Sequence, residues 1–97
     1  MLKVARGLLA RTRGLIGSDG DYALLIPKCN WIHTFFMSYT IDVYYLDPEG
    51  RVVKNVLMEP GKFTRPVRGA VAVLEIPPGL DWEGILRECA DLFDQGK

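Results

Sequence analysis

The sequence predicts a mainly β fold, a small antiparallel β-sandwich or partly closed barrel with a helix at each end. Three observations predict it. At least five short runs have strand composition, turns and loops rather than helices separate them, and the run 31–37 is apolar on both faces. A strand of that last kind asks to be covered from both sides. The length, 97 residues, leaves room for one domain, expected to span 1–97. Hydrophobic residues make up 48% and charged residues 25%, the usage of a folded chain rather than a disordered one. Twelve Lys and Arg balance twelve Asp and Glu, so no overall field draws the chain to nucleic acid or anionic lipid.

In chain order, Val4, Ala5, Leu8, Leu9, Leu15 and Ile16 fall on one side of a helical wheel and Lys3, Arg6 and Arg13 on the other. This spacing predicts a helix over 4–16, ended by Gly17 and the polar run Ser18-Asp19-Gly20-Asp21. A basic membrane-surface helix is the competing reading, but the cations are few and Gly7 and Gly14 interrupt the polar face. Arg6, Arg11 and Arg13 also stand where a secretion signal needs an unbroken apolar core. No apolar run approaches the ~20 residues of a membrane span. A soluble, cytoplasmic protein is expected.

The runs 22–26 and 31–37 read as strands, the first stopped by Pro27, the second dense in aromatic and β-branched residues. Residues 41–46 and 51–58 read as a hairpin, because Asp47-Pro48-Glu49-Gly50 carries the residues a type I turn favours. The stretch 59–69 holds Pro60, Gly61, Pro66 and Gly69 among Lys62, Arg65 and Arg68, and predicts a long basic loop. Residues 70–76 alternate as a final strand, ended by Pro77-Pro78-Gly79. Asp81 then stands as the cap of a C-terminal helix whose Trp82, Ile85, Leu86, Cys89, Leu92 and Phe93 keep the three-four spacing.

The run Cys29-Asn30-Trp31-Ile32-His33-Thr34-Phe35-Phe36-Met37, continued by Ile41-Asp42-Val43 and Tyr45-Leu46-Asp47, resembles the domain-of-unknown-function family 192. Three further segments fit the same pattern: 11–17, Gly50-Arg51-Val52-Val53 and Val73-Leu74-Glu75-Ile76-Pro77-Pro78-Gly79. The resemblance covers roughly residues 6 to 80 and implies a compact jelly-roll-like β-sandwich. It implies no particular activity. The chain departs from the pattern at Phe36, where the family has Gly, at Tyr39-Thr40, where Phe-Pro is common, and in its longer C-terminal helix. Phe36 is therefore expected to face open space and to fill part of a pocket present in relatives.

Candidate chemistry starts from His33, the side chain suited to proton transfer near neutrality, although a hydrogen-bonded structural role is the commoner one. Cys29 cannot reach it along a strand, since four residues span ~13 Å, unless the chain breaks near Asn30. Even with Cys89, Cys29 and His33 fall short of the four ligands of a structural zinc site, and no metal or cofactor is expected. Cys29 and Cys89 read as reduced thiols. Asp42 and Glu75 are acids inside apolar strands, where an unpaired charge is costly, so each needs a partner. Turn backbone N–H groups would serve Asp42, and Arg13 or Arg68 would serve Glu75.

Alternatively, His33, Asp42 and Glu75 line a shallow polar cleft walled by Phe36 and Met37, a ligand site. The leading reading is a non-enzymatic binding or accessory module presenting a cleft or edge to a small molecule or protein. The rival is a small hydrolase or isomerase in which His33 acts as general base, oriented by Asp42 or Glu75.

Overall fold

The computed structural model describes residues 2–7, 11 and 13–95. Five strands form one mixed sheet: β1 (Leu2–Val4), β2 (Ala23–Pro27), β3 (Ile41–Leu46), β4 (Val52–Met58) and β5 (Ala72–Ile76). Their spatial order is β1-β2-β5-β3-β4, with β1 parallel to β2 and every other pair antiparallel. The last strand in sequence is thus the middle of the sheet. A helix, α1 (Trp82–Gln95), follows it.

The hairpin forms as its turn residues dictate. Asp47 Oδ1 accepts from the N–H of Glu49 and Arg51 at 2.8 and 2.9 Å, while its carbonyl accepts from Gly50 at 2.9 Å. Asp81 caps α1 as expected, its Oδ1 accepting from Gly84 N–H at 3.1 Å.

Alternation along β2, β3 and β5 gives the sheet two buried faces. On one, Ala23, Leu25, Tyr44, Leu46, Ala72, Leu74 and Ile76 pack under Ile85 and Cys89 of α1. On the other, Leu24, Ile26, Val43, Tyr45 and Val73 are covered by irregular chain that supplies Leu15, Ile32, Met37 and Ala70. The expected sandwich or barrel is therefore corrected to one sheet with a helix on one face and a layer of loops on the other.

Two local corrections explain this. The N-terminal helix expected over 4–16 does not span that range: residues 2–4 form a strand and 14–17 a turn, helical character among the described residues is confined to 7, 11 and 13, and residues 8–10 and 12 lie outside them. Leu2–Val4 instead pairs with β2, Ala5 N–H extends the pairing to Leu25 O at 2.8 Å, and Gly7 and Gly14 have φ of 81° and 58°, values no right-handed helix holds. The strand expected over 31–37 is also absent: it touches strand geometry only at the bridge His33↔Phe63. Its chain turns where Met37 N–H reaches back to Thr34 O, and Phe36 sits at φ 67°. That conformation suits glycine, the residue the family pattern has there.

Without ladders, the loop layer satisfies its backbone through two threonines. Thr34 is fully buried; its N–H donates to Lys62 O at 2.7 Å, its hydroxyl donates to Glu59 O at 2.6 Å and accepts from Lys62 N–H at 2.9 Å. Thr64 repeats the device, its N–H donating to Ile32 O and its Oγ1 accepting from Ile32 N–H, with Tyr45 Oη 2.6 Å from the same oxygen. A buried polar group stripped of its partner costs about 1–3 kcal/mol, so Thr34→Val is expected to destabilise the fold by about 2 kcal/mol. The midpoint of urea unfolding, at unchanged slope, measures it. By contrast, Phe36→Gly deletes a whole ring yet is expected to change stability by less than ~1 kcal/mol, because it relieves the left-handed φ.

Candidate functional site

Beneath the loop layer, on the face opposite α1, lies a half-open pocket of about 240 Å³. Its floor is Ile26 and Glu75, its walls are Leu15, Ile32 and Met37, and its rim carries Arg11, Arg13, Lys28, Cys29, Asn30, Trp31 and His33. The register explains the floor: Glu75 of the central strand stands opposite Leu24 on β2 and Val43 on β3, facing the loop layer. Gly14 makes room above it. A Cβ on Gly14 would come within 3.2 Å of Glu75 Oε1, and the residue's φ of 58° disfavours any side chain.

Glu75 is only 3% exposed, and its Oε1 has no hydrogen-bond partner. Burial pushes its carboxyl up from 4.5 to about 7, and the Leu15 backbone N–H pulls it part of the way back. Of the two arginines expected to pair with it, Arg68 is not among the residues lining the pocket, and Arg13 is engaged elsewhere, its Nε donating to Ile16 O at 2.9 Å. Arg11 Nη2 donates to Lys28 O at 2.8 Å, leaving Arg11 Nε buried and without a partner. The Cys29 thiol donates to Trp31 O at 2.9 Å, and burial raises its pKa, against the smaller lowering effects of the Trp31 backbone and the Arg11 charge.

The other expected site residues separate. His33 and Met37 line the pocket with Glu75, and His33 Nδ1 accepts from Phe35 N–H at 3.3 Å. Asp42 does not join them. Its side chain shares the sheet face of Tyr44, accepting from Tyr44 O–H at 3.1 Å and from Asn55 Nδ2 at 2.7 Å rather than from turn backbone. Phe36, 88% exposed, lies outside the pocket. Cys29 and His33 reach one pocket because the chain does leave extended geometry between them. Cys89 is buried on the sheet-facing side of α1, across the sheet from the pocket, and both cysteines are free thiols. Among the described residues, no group of three His, Cys, Asp or Glu is placed to hold a metal ion.

Sequence reasoning missed Arg11, Gly14, Lys28, Asn30 and Trp31 as pocket residues. The signal was present in the motif segments: 11–17, 29–37 and 73–79 are far apart in sequence and meet here.

Fold and site together define a small one-sheet scaffold with a loop-roofed pocket around a buried acid. The chain belongs to the family DUF192, described as an uncharacterized ACR, which it matches over residues 1–83. It is 36% identical over 86 residues to a UPF0127 protein of Thermococcus sibiricus, covering 81% of this chain and 56% of that one. It thus spans little more than half that relative's length. A UPF0127 protein of Pyrococcus horikoshii is 34% identical over 96 residues, covering 93% of this chain and 83% of that one. The crystal structure of a protein of unknown function from Novosphingobium aromaticivorans shares the fold, with a TM-score of 0.68 at 20% identity over 89% of this chain and 67% of that one. None of these descriptions states an activity. Among the described residues no helix is long and apolar enough to cross a membrane.

The buried acid has a measurable consequence. Folding raises its pKa, so the native state holds this proton more tightly than the unfolded chain between pH 4.5 and about 7. The stabilisation is complete below 4.5 and is lost as pH rises through 7, on the order of 3 kcal/mol in all. Glu75→Gln keeps the shape and removes the titration. Its stability relative to the wild type is expected to climb with pH across that window and level off above it, as read by denaturant unfolding at a series of pH values.

Proposed function

We propose that this protein is a small-ligand binding module whose site is the pocket over Glu75. One observation carries the reading: a carboxylate oxygen buried at the centre of the sheet, without a partner, in a pocket large enough to bring one. Folded proteins rarely tolerate such an atom, because its desolvation is not repaid inside the protein. A ligand that donates to Oε1 repays it. The apolar walls and few polar groups have the make-up of small-molecule sites, and the volume falls just below the ~300–1,000 Å³ typical of drug-sized ligands.

A specific observation favours a second reading. An acid titrating near 7, in the same pocket as His33 and Cys29, has the poise of a general acid or base, which would make the pocket a small hydrolase or isomerase site. In that version Glu75, not Asp42, is the carboxylate that works beside His33, since Asp42 is committed to Tyr44 and Asn55.

Amide spectra of the full chain, recorded while a small-molecule extract of its own cells is added, test the binding reading. Shifts confined to Gly14, Leu15, 28–33 and Glu75 are the expected result. No shift in those amides, or shifts gathered around Phe36 and Phe63 instead, would overturn it and move the function to the exposed aromatic edge.

A further inference from the structure

We infer that the pocket takes a small organic anion that also carries a hydrogen-bond donor, an acceptor end facing Arg11 and a donor end facing Glu75. This deepens the binding reading above and rests on it.

Of the three buried side-chain polar atoms without a partner among the described residues, Arg11 Nε, Tyr39 Oη and Glu75 Oε1, the two whose residues line the pocket are of opposite kinds. Arg11 Nε is a donor without an acceptor and Glu75 Oε1 an acceptor without a donor, and both residues line the one pocket. An apolar molecule serves neither, and a simple cation, which could sit against Glu75 Oε1, leaves the Arg11 Nε donor without an acceptor. The guanidinium is already oriented, because Nη2 is fixed on Lys28 O, so Nε is presented without further loss of rotamer freedom. Arg11, Arg13 and Lys28 place three cations around the pocket against one carboxylate, so its charge favours an anion. Between the charged groups the lining is Leu15, Ile26, Ile32 and Met37, which leaves the middle of the ligand to short hydrocarbon. A pocket of about 240 Å³ fits a compact hydroxy or amino acid better than a nucleotide.

The test is an amide-spectrum titration of the full chain with four probes at matched ionic strength. Glycolate has both the charge and the donor, acetate has only the charge, glycolamide has the donor without the charge, and ethanolamine has the donor with the opposite charge. Glycolate is expected to move the amides of Gly14, Leu15, 28–33 and Glu75, with each of the others binding about tenfold more weakly, the loss of one charge-assisted hydrogen bond. Arg11→Gln is expected to weaken glycolate by about the same factor and to leave glycolamide unchanged, while Arg11→Lys, which keeps the charge and loses Nε, still weakens glycolate. If acetate, glycolamide or ethanolamine matches glycolate at these amides, the ligand class is wrong and the pocket reading stands. If no probe moves any of them while cell extract does, the class alone falls. If neither does, both fall.

Discussion

The pocket side of this protein depends on one constraint: a single five-stranded sheet is apolar on both faces, and α1 covers just one of them. The second face must be covered by irregular chain, whose backbone groups cannot be buried unpaired. Thr34 and Thr64 meet that requirement. Their side chains and backbones tie 30–34 to 59–67 across the top of the sheet, and Tyr45, rising from β3, fastens the tie to the floor. Loops held this way can roof a cavity without collapsing into it, which two interdigitating sheets would not permit.

The central strand then decides what the cavity contains. Because β5 is flanked by β2 and β3, a polar residue on its loop-facing side is buried whatever its chemistry, and that residue is Glu75. Gly14 leaves the space beside the carboxylate empty, and the nearby arginines are held by carbonyls of Lys28 and Ile16 rather than by the acid. The fold therefore carries an internal cost concentrated at one atom. Such a cost is the usual mark of a group kept for binding or chemistry rather than for stability.

How much of this could be read from the residues follows from how local each signal was. The β3–β4 hairpin and the capped α1 were legible because Asp47, Gly50 and Asp81 act on backbone groups within four residues of themselves. The segment 31–37 was misread as a strand because its aromatic and β-branched residues have strand preferences, while the bonds that bend it come from Lys62 and Thr64, thirty residues away. The N-terminal periodicity was misleading for a similar reason: Val4 and Ala5 are apolar because they pair beside β2, not because they line a helix. Glu75 stood out in the sequence as an acid among Val73, Leu74 and Ile76. That its Oε1 has no partner, and that Asp42 lies on the other face, depend on a strand order and register that only the assembled sheet reveals.

The central claim is that Glu75 is a buried acid, with one carboxyl oxygen unpartnered, at the bottom of a ligand pocket. Its most direct test is the pH titration of the Glu75 side-chain carboxyl carbon, followed by carbon-13 spectroscopy in the ligand-free protein. The account predicts a midpoint near 7, with the amides of Gly14 and Leu15 shifting along the same curve. A midpoint at 4.5, the value of a solvated glutamate, or below it, as for one paired with an arginine, would contradict it.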